Sequence, residues 1–340
     1  MARRVTIRDV ATAAGVSVTT VSHVLNQFSG ARVSDDTRER VEAAARRLGY
    51  AANGLARGLR LQRSQTLALL SDEIATTPHA GRIILGAQET ASARGWLLML
   101  LTTGNDPQVE QREIRALARH RVDGVLYATM YHREVTVPAL LGSVPIVLLN
   151  ASSADPAIPS VVPDEVAGGR AAVGHLLDHG HRSIGFVTNV DDIPATHLRL
   201  EGYRAALTAA GVPLRPDLVA AEVSDARGGH RAATALLRRP DRPTALFCFN
   251  DRMAMGAYRA AQECGLRIPQ DLSVVGVDNQ ELIAEGLHPG LSTVALPHYE
   301  MGAWAVTTTI GLIERGAGPA AAQTTMPCPL LERGSVAAPA

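Results

Sequence analysis

Lysine is absent from this 340-residue chain: all 33 basic residues are arginine. That bias reads as base composition and carries no mechanism. Cysteine is scarce. Cys248, Cys264 and Cys328 are odd in number, widely separated and without metal-ligand spacing, which argues against a disulfide scaffold or a zinc module and suits a reducing compartment. Cys248, inside "ALFCF", reads as a small buried hydrophobe. No stretch approaches the roughly 18 apolar residues of a membrane helix. "MARRVTIRDV" carries positive charge with no apolar run behind it, so neither a secretory signal nor a membrane partner is expected, and the expected location is cytoplasmic. Catalytic signatures are missing too: there is no Walker loop, no strand-following G-x-G-x-x-G, no H-E-x-x-H and no G-x-S-x-G, so no enzyme and no cofactor is expected. Low-complexity tracts and short repeats are absent apart from "GSVAAPA", which reads as a weakly structured tail.

What is present describes a soluble globular protein, 46% apolar against 19% charged, long enough for two or three domains. A formal net charge of zero hides an asymmetry: residues 1–63 hold 11 Arg against five carboxylates, and the rest holds 22 against 28. A short basic head on an acidic body fits a nucleic-acid-binding module joined to a separate domain, or a solvated cationic face.

The head reads as three short helices. Thr6 caps the first, with Asp9 three residues on as a weakened capping box, and Val10, Ala11 and Ala14 line one face before the Gly15 turn. Ser17 caps a second helix whose apolar stripe is Val21, Val24 and Leu25, leaving Val18, Thr19, Ser22 and His23 outward. Ser34 caps a third, aided by Asp35 and Asp36 at its positive end, packing through Val41, Ala44, Ala45 and Leu48 and ending at Gly49. Two helices joined by a glycine turn are either an ordinary packed pair or a helix-turn-helix whose second helix enters the major groove. In the second case Val18 packs on a thymine methyl, Thr19 bonds base edges and His23 donates to guanine or phosphate, while Thr6, Ser17 and Thr20 grip phosphates.

From Thr66 onward short apolar runs, "TLALL", "LLMLL", "GVLY", "IVLL", "SIGFVT", "ALFCF" and "SVVGV", alternate with helical segments, the pattern of a doubly wound parallel sheet. The proline-rich loop "SSADPAIPSVVPD" and the loop-like stretch near "GLSTVALP" are the places where the chain crosses between two lobes. Ligands of open α/β sheets gather outside the carboxyl ends of the strands. Asp72, Asn150, Asn250 with Asp251, and Asp278 stand at those ends. Asn250 is equally a helix N-cap, Asp164 and Asp278 are equally turn or cap residues, and Arg199 in "HLRLEGY" is equally an exposed helix arginine. His179 and His181 have H-x-H spacing, but with no cysteine or carboxylate cluster beside them no metal is expected. Trp96 and Trp304 read as packing residues.

"TIRDVATAAGVSVTTVSHVLN" followed by "VSDDTRERVEAAARRLGYAANGLARGL" resembles the head of the LacI/GalR family of bacterial transcriptional regulators, and the resemblance runs along nearly the whole chain. It implies an all-α helix-turn-helix head, residues 1–60 with a hinge helix at 53–59, and an α/β body, 64–340, two-lobed like a periplasmic binding protein, for effector binding and dimerisation. It also implies that Val18, Thr19 and His23 stand at base-contacting positions, with Ser22 and Asn26 in the same DNA-facing segment. In the hinge, which includes Asn53 and Arg57, Leu59 matches the leucine that wedges between base pairs, and Ala56 the small residue that lets two hinge helices approach. The alternative for Leu59 is the core of a linker helix. Ala52 stands where the family usually has proline, which implies a looser hinge.

In the body, "VVPDEVAGGRAAVGHLLDHGHRSIGFV", "RLEGYRAAL", "FCFNDRMAMGA" and "IPQDLSVVGVDN" resemble the family's effector-binding core. This implies that Arg199, Asn250 and Asp278 hold the effector, with Asp164 at a cleft position. His79 replaces the family's usual aromatic after a proline, and Tyr127 is a substitute stacking platform. The expectation is a ligand-responsive regulator, a repressor that binds a near-palindromic operator in double-stranded DNA as a homodimer with a sugar or similar metabolite as effector. The alternative is a sugar-binding protein without a DNA-reading function.

Overall fold

The computed structural model describes residues 5–25, 33–50, 63–74, 81–315 and 323–340. They form two compact units, Met1–Ser64 and Gln65–Ala340.

The first unit is all-helical: α1 (Ile7–Ala14), α2 (Val18–Leu25) and α3 (Asp35–Leu48). Thr6 and Asp9 form a complete reciprocal capping box: the Thr6 amide donates to Asp9 Oδ2 at 2.8 Å and the Asp9 amide to Thr6 Oγ1 at 3.4 Å. The shorter aspartate therefore still closes the box. Gly15 ends α1 at φ 67, a left-handed conformation that costs glycine nothing. Val10, Val21 and Val41, all 0% exposed, meet in the centre with Ala14, Ala44 and Ala45 around them. Full burial of a valine is worth roughly 1.5–3 kcal/mol, and this small core has three.

The second unit holds two lobes, each a six-stranded sheet sandwiched by helices. The N-lobe comprises β1 (Thr66–Ser71), α4 (Gly81–Ala93), β2 (Leu97–Thr102), α5 (Pro107–His120), β3 (Gly124–Glu134), β4 (Ile146–Ser152), β5 (Ser160–Pro163), α11 (His298–Arg315) and β11 (Gln323–Met326). Its strand order is β11-β5-β4-β3-β1-β2, all parallel. The C-lobe comprises α6 (Glu165–Asp178), β6 (Ile184–Asn189), α7 (Pro194–Ala209), β7 (Val219–Glu222), α8 (Ala226–Leu237), β8 (Ala245–Cys248), α9 (Asp251–Glu263), β9 (Ser273–Asp278), α10 (Glu281–Ala284), β10 (Ser292–Ala295) and β12 (Leu330–Leu331). Its order is β12-β10-β9-β8-β6-β7, with β12 antiparallel to β10.

Central strands such as β6, β8 and β9 are buried at every position, as a sheet covered on both faces requires. In the C-lobe Phe186 stacks on Phe247 with ring centroids 4.7 Å apart, and Trp96 lies buried in the N-lobe core. Helices α8 and α9 touch backbone to backbone: a Cβ on Gly256 would run into the Ala226 carbonyl and the His230 amide.

The chain passes between the lobes three times, after β5, after β10 and after β11. The first two passages fall where loops are expected from sequence, although those stretches contain β5 and β10. The tail is not loose. Ser335 is 0% exposed, its hydroxyl donating to the Val274 carbonyl at 2.6 Å and accepting the Ser292 amide at 2.8 Å. A serine at that point satisfies a carbonyl at the start of β9 and the first amide of β10, which outweighs the low propensity of "GSVAAPA".

Candidate functional site

On the head, α2 presents its polar side outward. Val18 is 41% exposed and Thr19 is exposed, while Val21 and Val24 are buried, so the amphipathic spacing separates core from surface. Ser17 Oγ accepts the Thr20 amide at 3.0 Å and bonds the Thr20 hydroxyl at 2.9 Å, anchoring the first turn. Ser22 and His23 are half-buried on the same helix. Asn26, Asn53, Ala56, Arg57, Leu59 and, in the body, His79 lie outside the described residues.

In the body the carboxyl ends of the strands collect the unusual chemistry. Seven buried side-chain atoms among the described residues have no hydrogen-bond partner: Ser71 Oγ, His132 Nδ1, Arg133 Nε, Thr188 Oγ1, Asn189 Nδ2, Thr196 Oγ1 and Arg252 Nε. Ser71 ends β1, His132 and Arg133 lie near the end of β3, and Thr188 and Asn189 end β6. Thr196 and Arg252 lie in the first turns of the helices that follow β6 and β8. An unpaired buried polar group costs about 1–3 kcal/mol, and these seven are grouped at or beside the carboxyl ends of strands in both lobes.

The sequence candidates divide among three settings. Asp278 ends β9 at φ 106, a strained conformation for a residue with a side chain, and lines a cavity of about 610 Å³ between the lobes. Arg82 of α4 and Glu281 of α10 line the same cavity and bridge the lobes through a 2.7 Å ion pair. Asp72 and Tyr127 come together elsewhere, in a cavity of about 150 Å³ built only from the N-lobe. There Asp72 Oδ2 accepts Arg133 Nη2 at 3.0 Å, and the Tyr127 hydroxyl donates to Glu110 at 2.6 Å.

The third setting is internal support. Arg199 is 2% exposed, which rules out an exposed helix arginine. Its guanidinium donates to both oxygens of Glu165, at 2.6 and 3.0 Å, and to the Phe249 carbonyl, and lies 4.4 Å over the Phe249 ring. Burial raises the Glu165 carboxyl while the guanidinium opposes it. Asn250 is 0% exposed and caps α9: its Oδ1 accepts the Met253 amide at 2.9 Å and its Nδ2 donates to the Ser224 carbonyl at 3.1 Å. Asp164 caps α6 through the Ala167 amide at 2.9 Å. Asn150 Nδ2 holds β3 by donating to the Thr129 and Met130 carbonyls. His181 spends both ring nitrogens on Thr244, Ser273 and the Ala337 carbonyl, each within 2.9 Å.

Sequence reasoning missed several participants. Tyr131, on β3, reaches across to the C-lobe, its ring 6.2 Å from Phe249 and its hydroxyl bonded to Arg252 and Ser224. His132 beside it is 5% exposed, and burial, with the Arg199 charge, pushes its imidazole down to about 4. Glu165 had no local signal, because its partner is 34 residues away.

Two family models match the chain. "Bacterial regulatory proteins, lacI family" matches residues 6–53, and "Periplasmic binding proteins and sugar binding domain of LacI family" matches residues 63–331. The ribose operon repressor of Haemophilus influenzae is 36% identical over 91% of this chain and 92% of its own length. The transcriptional repressor CytR of Escherichia coli is 32% identical over 98% and 96%. Among solved structures, the lac repressor dimer bound to operator and the anti-inducer ONPF superposes with a TM-score of 0.81 at 29% identity, covering 99% of this chain and all of that one. The transcriptional regulator CelR in complex with cellobiose gives 0.72 at 31% identity, over 98% and 100%. No helix among the described residues is long and apolar enough to cross a membrane. A helix-turn-helix head and a two-lobed parallel-sheet body, each matched by its own model, establish that the chain belongs to the LacI family of bacterial regulatory proteins.

Proposed function

We propose that this protein is a cytoplasmic, non-catalytic repressor that binds a near-palindromic operator as a homodimer and responds to a small polyhydroxylated metabolite held between its lobes. The observation that carries the ligand half of this reading is the group of unpaired buried polar atoms at or beside strand ends of the two lobes, on His132, Thr188, Asn189, Thr196 and Arg252. They are hydroxyl, amide, imidazole and guanidinium groups, which recognise sugar hydroxyls through many directed hydrogen bonds. The names of two relatives, a ribose operon repressor and a regulator solved with cellobiose, point the same way.

We assign the DNA-reading head to residues 1–60 and the effector-binding, dimerising body to 64–340. In the head, Val18, Thr19, Ser22 and His23 read base edges, Thr6, Ser17 and Thr20 hold phosphates, and Asn26 continues that surface. The hinge at 53–59 supplies Asn53, Ala56, Arg57 and the wedge Leu59. In the body Asp278 contacts the effector directly. Arg199 and Asn250 act from behind, holding the α6, α7 and α9 framework, and Asp164 fixes the start of α6. Exposed Leu85, Leu97 and Leu100 of the N-lobe, with Met255 and Leu282 of the C-lobe, provide apolar surface that a second copy would cover.

Effector binding biases the lobe orientation, and with it the pairing of hinge helices, by a coupling free energy of about 1–3 kcal/mol. Sequencing genomic fragments retained by the purified protein, with Thr19→Ala and Leu59→Ala alongside, tests the reading. A palindrome enriched by the native chain and lost or altered in the variants supports it; equal retention of all fragments refutes it. Reciprocity adds a check, since operator DNA must change effector affinity by the same factor as effector changes operator affinity.

A further inference from the structure

The 150 Å³ N-lobe cavity shares no lining residue with the 610 Å³ cavity between the lobes. It opens at the carboxyl ends of β1 and β3 and at the amino end of α5, which begins with the Asp106 cap and Pro107. Two of the seven unpaired buried atoms belong to its walls: Ser71 Oγ, on a residue 2% exposed, and Arg133 Nε.

The remaining wall groups are half spent. Asp72 is held by Arg133, the Met130 amide and the Glu73 amide. Asn105 Oδ1 accepts Arg133 Nη2 at 3.2 Å, Asp106 Oδ1 caps α5, and one Glu110 oxygen takes the Tyr127 hydroxyl. The walls thus carry a mixture: donors on Ser71 and Arg133, and acceptors on Asp106, Glu110 and Tyr127. Three carboxylates against one guanidinium repel an anion, which excludes phosphorylated or acidic metabolites. A group that both donates and accepts suits the mixture, and a hydroxyl is such a group. One water needs about 10–15 Å³ of such a cavity, so 150 Å³ takes roughly ten non-hydrogen atoms.

We infer that this cavity is a second ligand site, separate from the effector site proposed between the lobes, and that it takes a neutral polyol of four or five carbons. Its occupant would bear on lobe closure. Asp72 anchors Met130 and Arg133, which flank Tyr131, the residue that reaches Arg252 and Ser224 in the other lobe.

Titration calorimetry of the full-length protein with erythritol and with xylitol tests the inference. Glucose 6-phosphate serves as the excluded anion. The expected result is saturable binding of at least one polyol, weakened at least fivefold by Ser71→Ala and by Tyr127→Phe and changed less than twofold by Asp278→Ala. Tyr127→Phe keeps the ring and its packing, so it remains informative if the buried serine variant is unstable. Binding of neither polyol at tens of millimolar overturns the inference. So does polyol binding that Asp278→Ala abolishes while Ser71→Ala and Tyr127→Phe leave it intact, a result that would place the polyol between the lobes and leave the effector reading standing.

Discussion

Removing one partner of the Arg199–Glu165 pair should destabilise the body far more than removing both. The two side chains are 2% and 3% exposed and joined by two charge-assisted hydrogen bonds. Glu165→Leu leaves a guanidinium that cannot shed its proton, with only the Phe249 carbonyl and ring as partners. Breaking a buried pair in this way costs about 3–5 kcal/mol, on the order of 10 °C in melting temperature for a domain of this size. Arg199→Met should cost less, because burial already raises the Glu165 carboxyl and the stranded acid can protonate. Its folded-state pKa then exceeds its unfolded value, so the stability of Arg199→Met should fall as pH rises above the ordinary carboxylate range. The double variant, with two apolar side chains of similar volume, should recover to within about 2 kcal/mol of the native protein. Scanning calorimetry of the four proteins at two pH values measures the cycle. Strictly additive losses, or a Glu165→Leu loss under about 1 kcal/mol, would refute the claim that the pair is a coupled buried unit.

Three further outcomes are expected. His132 holds its neutral form down to about 4 against an ordinary 6.5, so its contribution is complete above pH 6.5 and lost as pH falls toward 4; melting curves of His132→Leu should lose up to about 3 kcal/mol of the acid sensitivity seen in the native protein, and unchanged sensitivity would contradict its burial as a neutral ring. Gly256→Ala should destabilise the C-lobe by several kcal/mol, because its Cβ meets the backbone of α8 and not a side chain that can swing away; urea unfolding near the native midpoint would count against that close approach. Thr6→Ala should cost the head about 1 kcal/mol through loss of the capping box, read as faster amide exchange in α1, while leaving the melting of the body unchanged.

The three described helices of the head were legible, because their information is local. Caps at Thr6, Ser17 and Ser34, glycine stops at Gly15 and Gly49, and a 3.6-residue apolar stripe all act within one or two turns. In the body the seven apolar runs all became strands, yet β5, β7, β10, β11 and β12 were not read as strands. Four-residue strands such as "SVVP" and "VAAE" carry too little periodicity to stand out, and their pairing partners lie far away in sequence. The site was legible by position only. The rule that ligands gather at strand ends drew attention to Asp72 and Asp278, each of which lines a cavity, but it could not tell that one cavity lies within the N-lobe and the other between lobes. Nor could it show that Arg199 and Asn250 are enclosed, since their partners Glu165, Phe249 and Ser224 are set by tertiary packing.

The three passages between lobes also dictate an order of events during synthesis. The N-lobe draws its sheet from residues 66–163 but needs α11 and β11, made only at residues 298–326, to cover its face and complete its edge. The C-lobe likewise waits for β12 and for Ser335. Neither lobe can close until residues 298–335 have left the ribosome, whereas the head, with its short-range contacts, can fold as soon as residues up to about 50 emerge. A nascent or truncated chain therefore exposes unfinished apolar sheet beside a finished head. Its safest partner in that interval is a chaperone, and a chain cut short between residues 298 and 335 should be degraded and not merely deaf to its ligand.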